Sequence, residues 1–218
     1  MNDRHLFLHG GSPPFLEKMG RRFAGLVSKI GKTAILFIER DGWQDYMNRY
    51  TAVLKENGIH HYIYIPLHIS PEEIVSNLSE CTGIIIGGGD TERYQKYIVG
   101  TEVGKCIQAM YQNGVPVAGF SAGALISPSI CVIPPIDNKK NVHLFLDGLG
   151  LLNDCVVSVH FSKWNEEENL KTAVMKTNAT IGFGLDDGTC AYFINEKLSF
   201  EEGKKVYRYT ANNVESTT

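Results

Sequence analysis

The chain has 218 residues, 43% of them hydrophobic and 21% charged, and a formal net charge of −3. This size and composition are typical of one globular α/β domain, so residues 1–218 are interpreted as a single domain. The small negative charge argues against nucleic acid or an anionic membrane as a partner. The longest apolar runs are also too short to span a bilayer.

The cysteines and the N-terminus indicate a compartment. The five cysteines are widely spread and include no C-x-x-C pair, which favours free thiols in a reducing cytoplasm. The first residues lack the basic and then apolar layout of a signal peptide. No H-E-x-x-H or similar ligand cluster occurs, so neither a metal nor a cofactor is expected.

Strand and helix signals alternate along the first 120 residues. Apolar runs predict buried strands at residues 5–9, 34–38, 62–65, 84–86 and 115–118. Helical spacing or capping signals predict helices at residues 15–30, 43–57, from Ser70 onward and at 103–112. Short links between alternating elements predict a three-layer α/β fold: a doubly wound, mostly parallel sheet with helices on both faces.

The pattern changes after residue 126. Residues 127–141 contain three prolines and predict an irregular loop over the end of the sheet. Strands are predicted at 156–160, 181–185 and 190–194, and a helix at 166–176. Glu202-Gly203 separates two short strands, which predicts a C-terminal antiparallel hairpin. Residues 212–218 are expected to fray.

One stretch carries the signature of a catalytic turn. The run Gly119-Phe120-Ser121-Ala122-Gly123 is a G-x-S-x-G sequence between a strand signal and a helix signal. Such a nucleophile elbow exposes a serine hydroxyl above the end of a sheet, and the glycines avoid clashes in the tight turn. Ser121 is therefore the candidate nucleophile.

A nucleophilic serine needs a base and an acid that orients the base. Of the seven histidines, His160 ends an apolar strand, where its side chain reaches a site at the sheet end; His143, in the irregular loop, is a weaker candidate. A histidine that is hydrogen-bonded in the core is the alternative interpretation of His160. The orienting acid is drawn from four aspartates: Asp137, Asp147, Asp186 and Asp187.

Gly87-Gly88-Gly89 ends another predicted strand. No lysine follows at P-loop spacing, and Glu92 occupies the position of the third glycine of a dinucleotide fingerprint. The glycine turn is better explained as a source of backbone N–H groups for the oxyanion of an acyl-transfer intermediate. Both glycine-rich turns follow strand ends, where doubly wound sheets bind their ligands.

Four motifs in order resemble the serine peptidases of the dipeptidase E (aspartyl dipeptidase) and cyanophycinase family. They are Gly87-Gly88-Gly89-Asp90-Thr91, Gly119-Phe120-Ser121-Ala122-Gly123-Ala124, His160-Phe161, and Gly182-Phe183-Gly184-Leu185-Asp186-Asp187-Gly188-Thr189. Their spacing fits across residues 5 to 195. The resemblance implies a Ser-His-acid triad on a fold like that of class I glutamine amidotransferases. Together with the cytoplasmic location that the cysteines indicate, it predicts a cytoplasmic serine exopeptidase acting on short peptides.

The resemblance also implies residue roles. Ser121 is the nucleophile, His160 the base, and Asp187 the acid at a position where the family has glutamate. Asp137, in the irregular loop, is the runner-up on its position in the sequence alone. The oxyanion hole is formed by Ala122 with Gly88 or Gly89. Substrate contacts are expected from Asp90, Thr91, Arg93 and Lys163, and either of the last two would supply a cation for an acidic substrate.

One departure from the family concerns the substrate. Cyanophycinase-like members carry arginines soon after the His-Phe pair, whereas residues 162–168 here hold one lysine, three glutamates and no arginine. Cyanophycin is therefore not the expected substrate. Two other interpretations stay open: an esterase or amidase with the same triad, and a small-molecule-binding protein whose triad is not assembled. A homodimer also remains open.

Overall fold

A seven-stranded sheet forms the centre of the computed structural model, which describes residues 2–210. The strands are β1 (His5–His9), β2 (Lys32–Phe37), β3 (Tyr62–Pro66), β4 (Cys81–Ile86), β5 (Val117–Phe120), β6 (Ile130–Ile133), β7 (Leu144–Asp147), β8 (Cys155–Val159), β9 (Ile181–Leu185), β10 (Cys190–Ile194), β11 (Lys197–Glu202) and β12 (Val206–Thr210). The helices are α1 (Glu17–Leu26), α2 (Trp43–Glu56), α3 (Pro71–Ser79), α4 (Thr91–Ile98), α5 (Glu102–Gln112), α6 (Ala122–Leu125) and α7 (Glu167–Thr177).

The main sheet has the strand order β11-β10-β1-β5-β4-β2-β3. Strands β1 to β5 are parallel, and β10 and β11 add two antiparallel strands at one edge. Alternate side chains of each strand enter opposite layers: Leu6 and Leu8 pack with α3 to α6, whereas Phe7 packs with α1 and α2. The predicted three-layer, mostly parallel α/β fold is confirmed.

A second sheet, which the sequence patterns did not separate from the first, has the order β12-β9-β8. Strands β8 and β9 are parallel, β12 is antiparallel to β9, and α7 covers this sheet with Leu170, Ala173 and Val174. The arrangement of the two sheets matters for the candidate site. Residues that follow β8 and β9 lie beside residues that follow β1 and β5, as their hydrogen bonds below show.

The antiparallel hairpin near the C-terminus is present, but its partners differ from those expected. It joins β10 to β11 through Asn195 and Glu196, both with positive φ. The strands on either side of Gly203 do not pair with each other, because β11 pairs with β10 and β12 pairs with β9. At Gly203 the chain passes from one sheet to the other, so close to Gly188 that a Cβ atom would lie 1.9 Å from its carbonyl oxygen.

Other elements also differ from the expectation. Helix α4 was not predicted, although the Asp90 side chain accepts a hydrogen bond from the Arg93 N–H at 3.0 Å and so caps its start. The stretch 127–141, expected to be irregular, contains β6, which pairs with β7. Helix α1 is shorter than residues 15–30, and Ile30 beyond it is 92% exposed.

The cysteines are free thiols, as predicted. Among residues 2–210, no helix has the length and apolar character that a membrane crossing requires. The expectation for residues 212–218 lies outside the described residues.

Candidate active site

The proposed nucleophile lies in a strained turn at the carboxyl end of β5. Ser121 has φ 50° and ψ −106°, a conformation that non-glycine residues rarely adopt, and its N–H donates to the His9 carbonyl at 3.0 Å. A Cβ atom on Gly119 would lie 2.5 Å from the Gly123 carbonyl carbon, and one on Gly123 would lie 2.3 Å from the Ile86 carbonyl oxygen. Both glycines are therefore required by the tight packing of the elbow, as the sequence predicted.

His160 directly follows β8, and its imidazole bridges two other candidate residues. Its Nε2 lies 3.0 Å from Ser121 Oγ, and its Nδ1 lies 2.5 Å from Asp187 Oδ1. The residue has a positive φ of 50°, and its N–H donates to the Gly10 carbonyl at 2.8 Å. The ring of Trp164 covers it at a centroid distance of 4.4 Å. The imidazole is thus positioned by the backbone hydrogen bond to Gly10, by the contacts of its two ring nitrogens and by packing against Trp164.

The structure distinguishes Asp187 from Asp137, the other main candidate for the orienting acid. Asp187 follows β9 and contacts His160, whereas Asp137 accepts a hydrogen bond from the Thr91 hydroxyl at 2.6 Å. Burial raises the pKa of the Asp137 carboxyl, and the Thr91 hydrogen bond opposes that rise. Only one of the two carboxylates is therefore hydrogen-bonded to the imidazole in the described part of the chain.

The remaining two aspartates have other surroundings. Asp186 is buried, and its Oδ1 accepts a hydrogen bond from the Ser162 N–H at 2.7 Å. That bond fixes the turn after His160 and leaves the Asp186 side chain in a structural role. Asp147 is exposed at the end of β7. The weaker histidine candidate, His143, packs beside Phe145 and makes no hydrogen bond to Ser121.

Backbone amides near Ser121 are available for an oxyanion. The Gly88 N–H donates to the Tyr50 hydroxyl at 3.1 Å, so that amide is already engaged. Within residues 2–210, the amides of Gly89 and Ala122 have no hydrogen-bond acceptor. Gly88 adjoins the nucleophile, since a Cβ atom on it would lie 3.2 Å from Ser121 Cβ. This geometry favours Gly89 over Gly88 as the partner of Ala122.

Two of the residues expected to contact substrate have structural partners. Asp90 caps α4 through the Arg93 N–H, and Thr91 is fully buried with its hydroxyl on Asp137. The Thr91 hydroxyl donates its proton to Asp137, and Asp90 uses Oδ1 for the helix cap. The structure therefore gives both a role in positioning the start of α4 and the segment that carries Asp137.

The two expected cations lie on different sides of the site. Arg93 is exposed and lies over the Tyr97 ring at 5.9 Å. It borders a cavity of about 200 Å³. The same cavity is lined by two residues of the glycine turn and by three aromatic side chains: Gly88, Gly89, Trp43, Tyr46 and Tyr50. Lys163 instead faces the acid, with Nζ 3.7 Å from Asp187 Oδ2.

Sequence reasoning missed several residues that shape the site. Gly10 and Gly11 directly follow β1, at the same edge as the two predicted glycine turns, and this signal was present in the sequence. A Cβ atom on Gly11 would lie 2.2 Å from Asp187 Oδ1, so this glycine makes room for the carboxylate. The contacts of Tyr50 with Gly88 and of Trp164 with His160 carry no sequence signature, because they depend on how helices and turns pack.

Comparison with known proteins identifies the family. The model of Peptidase family S51 matches residues 6–200. Cyanophycinase from Synechococcus elongatus is 31% identical over 126 residues, which are 56% of this chain and 39% of that protein. The matched region thus spans less than half the length of that relative.

Two solved structures share the fold. A peptidase from an acI-B1 Actinobacterium superposes with a TM-score of 0.72 at 17% identity, covering 95% of this chain and 94% of the other. A putative peptidase E protein from Listeria monocytogenes gives a TM-score of 0.67 at 17% identity, covering 93% and 100%. The resemblance stated from the four motifs is confirmed. Because the family model matches nearly the whole chain, the protein belongs to peptidase family S51.

Proposed function

We propose that this protein is a serine peptidase that hydrolyses short peptides through an acyl-enzyme intermediate. The observation that carries the proposal is the line of hydrogen-bonded groups from Ser121 Oγ to His160 at 3.0 Å and from His160 to Asp187 at 2.5 Å. A serine hydroxyl becomes a useful nucleophile when an oriented base accepts its proton. Family membership supports the same class of reaction.

Each group then has one task. Ser121 Oγ attacks the scissile carbonyl carbon while His160 Nε2 accepts the hydroxyl proton. The carbonyl oxygen becomes an oxyanion and receives hydrogen bonds from the Gly89 and Ala122 amides. His160 then gives the proton to the leaving amine, and the acyl-enzyme remains. In deacylation, His160 takes a proton from a water molecule, which attacks the acyl carbonyl carbon. His160 then returns the proton to Ser121 Oγ, and the carboxylic acid product is released.

Asp187 fixes the tautomer of the base. With the Nδ1 proton directed at the Asp187 carboxylate, Nε2 carries a lone pair that faces Ser121. As the imidazole becomes positively charged in the transition state, the same carboxylate stabilises it. Trp164 packs against the imidazole at a ring-centroid distance of 4.4 Å and helps to hold it in place.

The substrate proposed is a short peptide, and cyanophycin is not the proposed substrate. The acidic run after His160 is largely occupied by contacts within the chain: Glu166 is buried, and Glu167 and Glu168 pair with Lys171 at 3.0 and 2.9 Å. Lys163 is next to Asp187. A substrate approaching from this side would meet no arginine between residues 162 and 168.

Labelling with a fluorophosphonate tests the proposal directly. The probe should label the wild type and should fail to label Ser121→Ala and His160→Ala. Ser76→Ala, which changes an exposed serine on α3, should be labelled like the wild type. Absence of labelling in the folded wild type would contradict an activated serine, and a bound ligand would then be sought.

A substrate panel separates peptidase from esterase or amidase activity. Dipeptides with acidic and neutral N-terminal residues, simple esters and primary amides are compared by kcat/KM. The proposal requires at least one dipeptide to be hydrolysed with a value in the usual enzymatic range, about 10⁴ M⁻¹s⁻¹ or above. Hydrolysis of esters or amides with no dipeptide cleaved would instead support the second hydrolase interpretation. The assembled triad geometry counts against the non-catalytic alternative.

A further inference from the structure

We infer that the hydroxyl groups of Tyr50 and Tyr94 are positioning groups that set the oxyanion hole by fixing the two peptides on either side of the Gly88 Cα: Tyr50 holds the Gly87–Gly88 peptide, and Tyr94 holds the Gly88–Gly89 peptide. The inference rests on the proposed serine peptidase function and concerns residues outside the triad. Neither tyrosine contacts Ser121, His160 or Asp187 through a hydrogen bond in residues 2–210. Both act on the glycine turn.

The two hydroxyls bind the same residue from opposite layers of the protein. The Tyr50 hydroxyl accepts a hydrogen bond from the Gly88 N–H at 3.1 Å, and the Tyr94 hydroxyl donates to the Gly88 carbonyl at 3.3 Å. Tyr50 lies on α2 in one hydrophobic layer, and Tyr94 lies on α4 in the other. The Tyr94 hydroxyl also accepts from the Ile38 N–H at 3.3 Å, which ties it to the end of β2.

Burial makes both anchors rigid. The exposed fractions of Tyr50 and Tyr94 are 2% and 0%. A phenol is protonated at neutral pH, and burial raises the pKa of both tyrosines further, so each hydroxyl keeps the proton that it can donate. A buried polar group that lost its partner would remain unsatisfied, so these hydrogen bonds resist rearrangement.

The Tyr94 hydrogen bond orients the Gly88–Gly89 peptide directly, and the Tyr50 hydrogen bond fixes the Gly87–Gly88 peptide that leads into it. In a trans peptide the C=O and N–H groups point in opposite directions. With the Gly88 carbonyl directed at Tyr94, the Gly89 N–H points away from Tyr94. Gly89 is exposed, and its amide has no acceptor within residues 2–210. The peptide is therefore held with an N–H donor that has no acceptor among residues 2–210, next to Gly88, which adjoins Ser121.

The sequence of the turn makes such anchoring necessary. Gly89 has φ +148°, in a region open to glycine, and three successive glycines leave a chain free to rotate its peptides. Gly87 also provides the space for the anchors, since a Cβ atom there would lie 2.8 Å from the Tyr94 hydroxyl and 2.9 Å from that of Tyr50. Oxyanion stabilisation depends on donors that do not reorganise during the reaction.

The test uses a pair of substrates that differ in one atom. An oxyanion hole stabilises the oxygen anion formed from an ester more than the sulfur anion formed from the matching thionoester. The ratio of ester to thionoester hydrolysis thus reports the donors, whereas a general loss of folding lowers both rates together. Tyr94→Phe should lower kcat for the ester about tenfold or more, with KM little changed, and should lower the ratio.

Three further variants make the test decisive. Tyr50→Phe should also lower the ratio, and Gly87→Ala should do the same because it displaces both hydroxyls. Tyr111→Phe is the matched control: Tyr111 is buried, and its hydroxyl has no hydrogen-bond partner in the described residues. Its ratio should equal that of the wild type. Melting temperatures identify any variant that fails to fold. The variants that do fold then decide whether the tyrosine hydroxyls set the oxyanion hole.

The outcomes distinguish the two proposals. If the wild type neither reacts with the fluorophosphonate nor hydrolyses the ester, the proposed function fails, and this inference fails with it. If the wild type is active but the folded tyrosine variants keep its ratio, the inference alone is overturned. A lowered ratio in the control Tyr111→Phe would also overturn it, because the effect would then be nonspecific.

Discussion

The Asp187 carboxylate lies 2.5 Å from His160 Nδ1, although its side chain is one methylene shorter than the glutamate implied at this position by the family resemblance. Two features of the chain allow the contact. Asp187 follows β9, whose carboxyl end lies beside that of β8, and Gly11 leaves the space that the carboxylate occupies. The shorter acid is accommodated by the backbone around it.

Substitution of Asp187 should affect the rate far more than substitution of Asp137. Asp187→Asn should lower kcat about 10³- to 10⁴-fold, because the amide leaves the imidazole in the wrong tautomer. Asp137→Asn should change kcat less than tenfold, since Asp137 is hydrogen-bonded to Thr91 and not to His160. Steady-state kinetics on the best substrate measure both. Equal losses of kcat in the two variants would contradict the assignment of Asp187 as the acid of the triad.

Gly11→Ala should impair catalysis while leaving the fold intact. The added methyl group would lie 2.2 Å from Asp187 Oδ1, so the carboxylate must move away from His160. The expected loss in kcat is at least about tenfold, since small misplacements of a catalytic group cost up to about 100-fold.

The matched control for that substitution is Gly25→Ala. Gly25 lies on α1, and a Cβ atom there would meet nothing within 4 Å. This variant should keep full activity and gain about 0.5–1 kcal/mol of stability from helix propensity. Comparable activity in Gly11→Ala and Gly25→Ala would show that the carboxylate tolerates displacement.

Lys163 should support Asp187 only weakly. Its Nζ lies 3.7 Å from Asp187 Oδ2, and the exposed fractions of the two side chains are 66% and 43%. Exposed ion pairs contribute about 0–1 kcal/mol, so Lys163→Met should lower kcat by about fivefold at most, and salt should reduce the difference.

The kinetics of Lys163→Met also test the other role expected for this residue. If Lys163 binds a substrate carboxylate, the variant should raise KM for dipeptides with an acidic side chain and leave KM for neutral dipeptides unchanged. If it supports Asp187, kcat should fall equally for both substrates. Measuring both constants on one acidic and one neutral dipeptide separates the roles.

The fold and the triad candidates were predictable because local patterns encode them. Alternating apolar strands and amphipathic helices specify a parallel sheet, and its carboxyl ends are where such sheets carry sites. The elbow was visible because Gly119 and Gly123 meet backbone atoms that exclude a side chain. His160 and Asp187 were identified from strand ends together with the family resemblance.

The features that were missed depend on packing between distant segments. Strands β8 and β9 have the same apolar pattern as those of the main sheet, and nothing local assigns them to a separate one. Helix α4 buries only Thr91, Tyr94 and Ile98, so its apolar stripe is thin. The hydrogen bond between Tyr50 and Gly88 joins residues 38 positions apart, and no spacing rule predicts it.

His9, which is buried beside the elbow, should make the stability of the protein depend on pH. Its ring is 3% exposed and stacks on Phe120 at 4.0 Å, and its Nε2 has no hydrogen-bond partner in the described residues. Burial lowers the pKa of His9 from 6.5 to about 3. The unfolded chain therefore binds a proton between pH 6.5 and pH 3 that the folded chain does not, so stability falls as the pH decreases through this range.

His9→Phe should remove this acid sensitivity. The wild type should lose about 2 kcal/mol of unfolding free energy between pH 7 and pH 5 through His9, and the variant should lack that loss. Asp137 and Glu166, whose pKa values burial raises, act in the opposite direction but are present in both proteins, so their effects cancel in the comparison. Urea unfolding at the two pH values measures the difference. Parallel losses in both proteins would mean that His9 is protonated in the folded state.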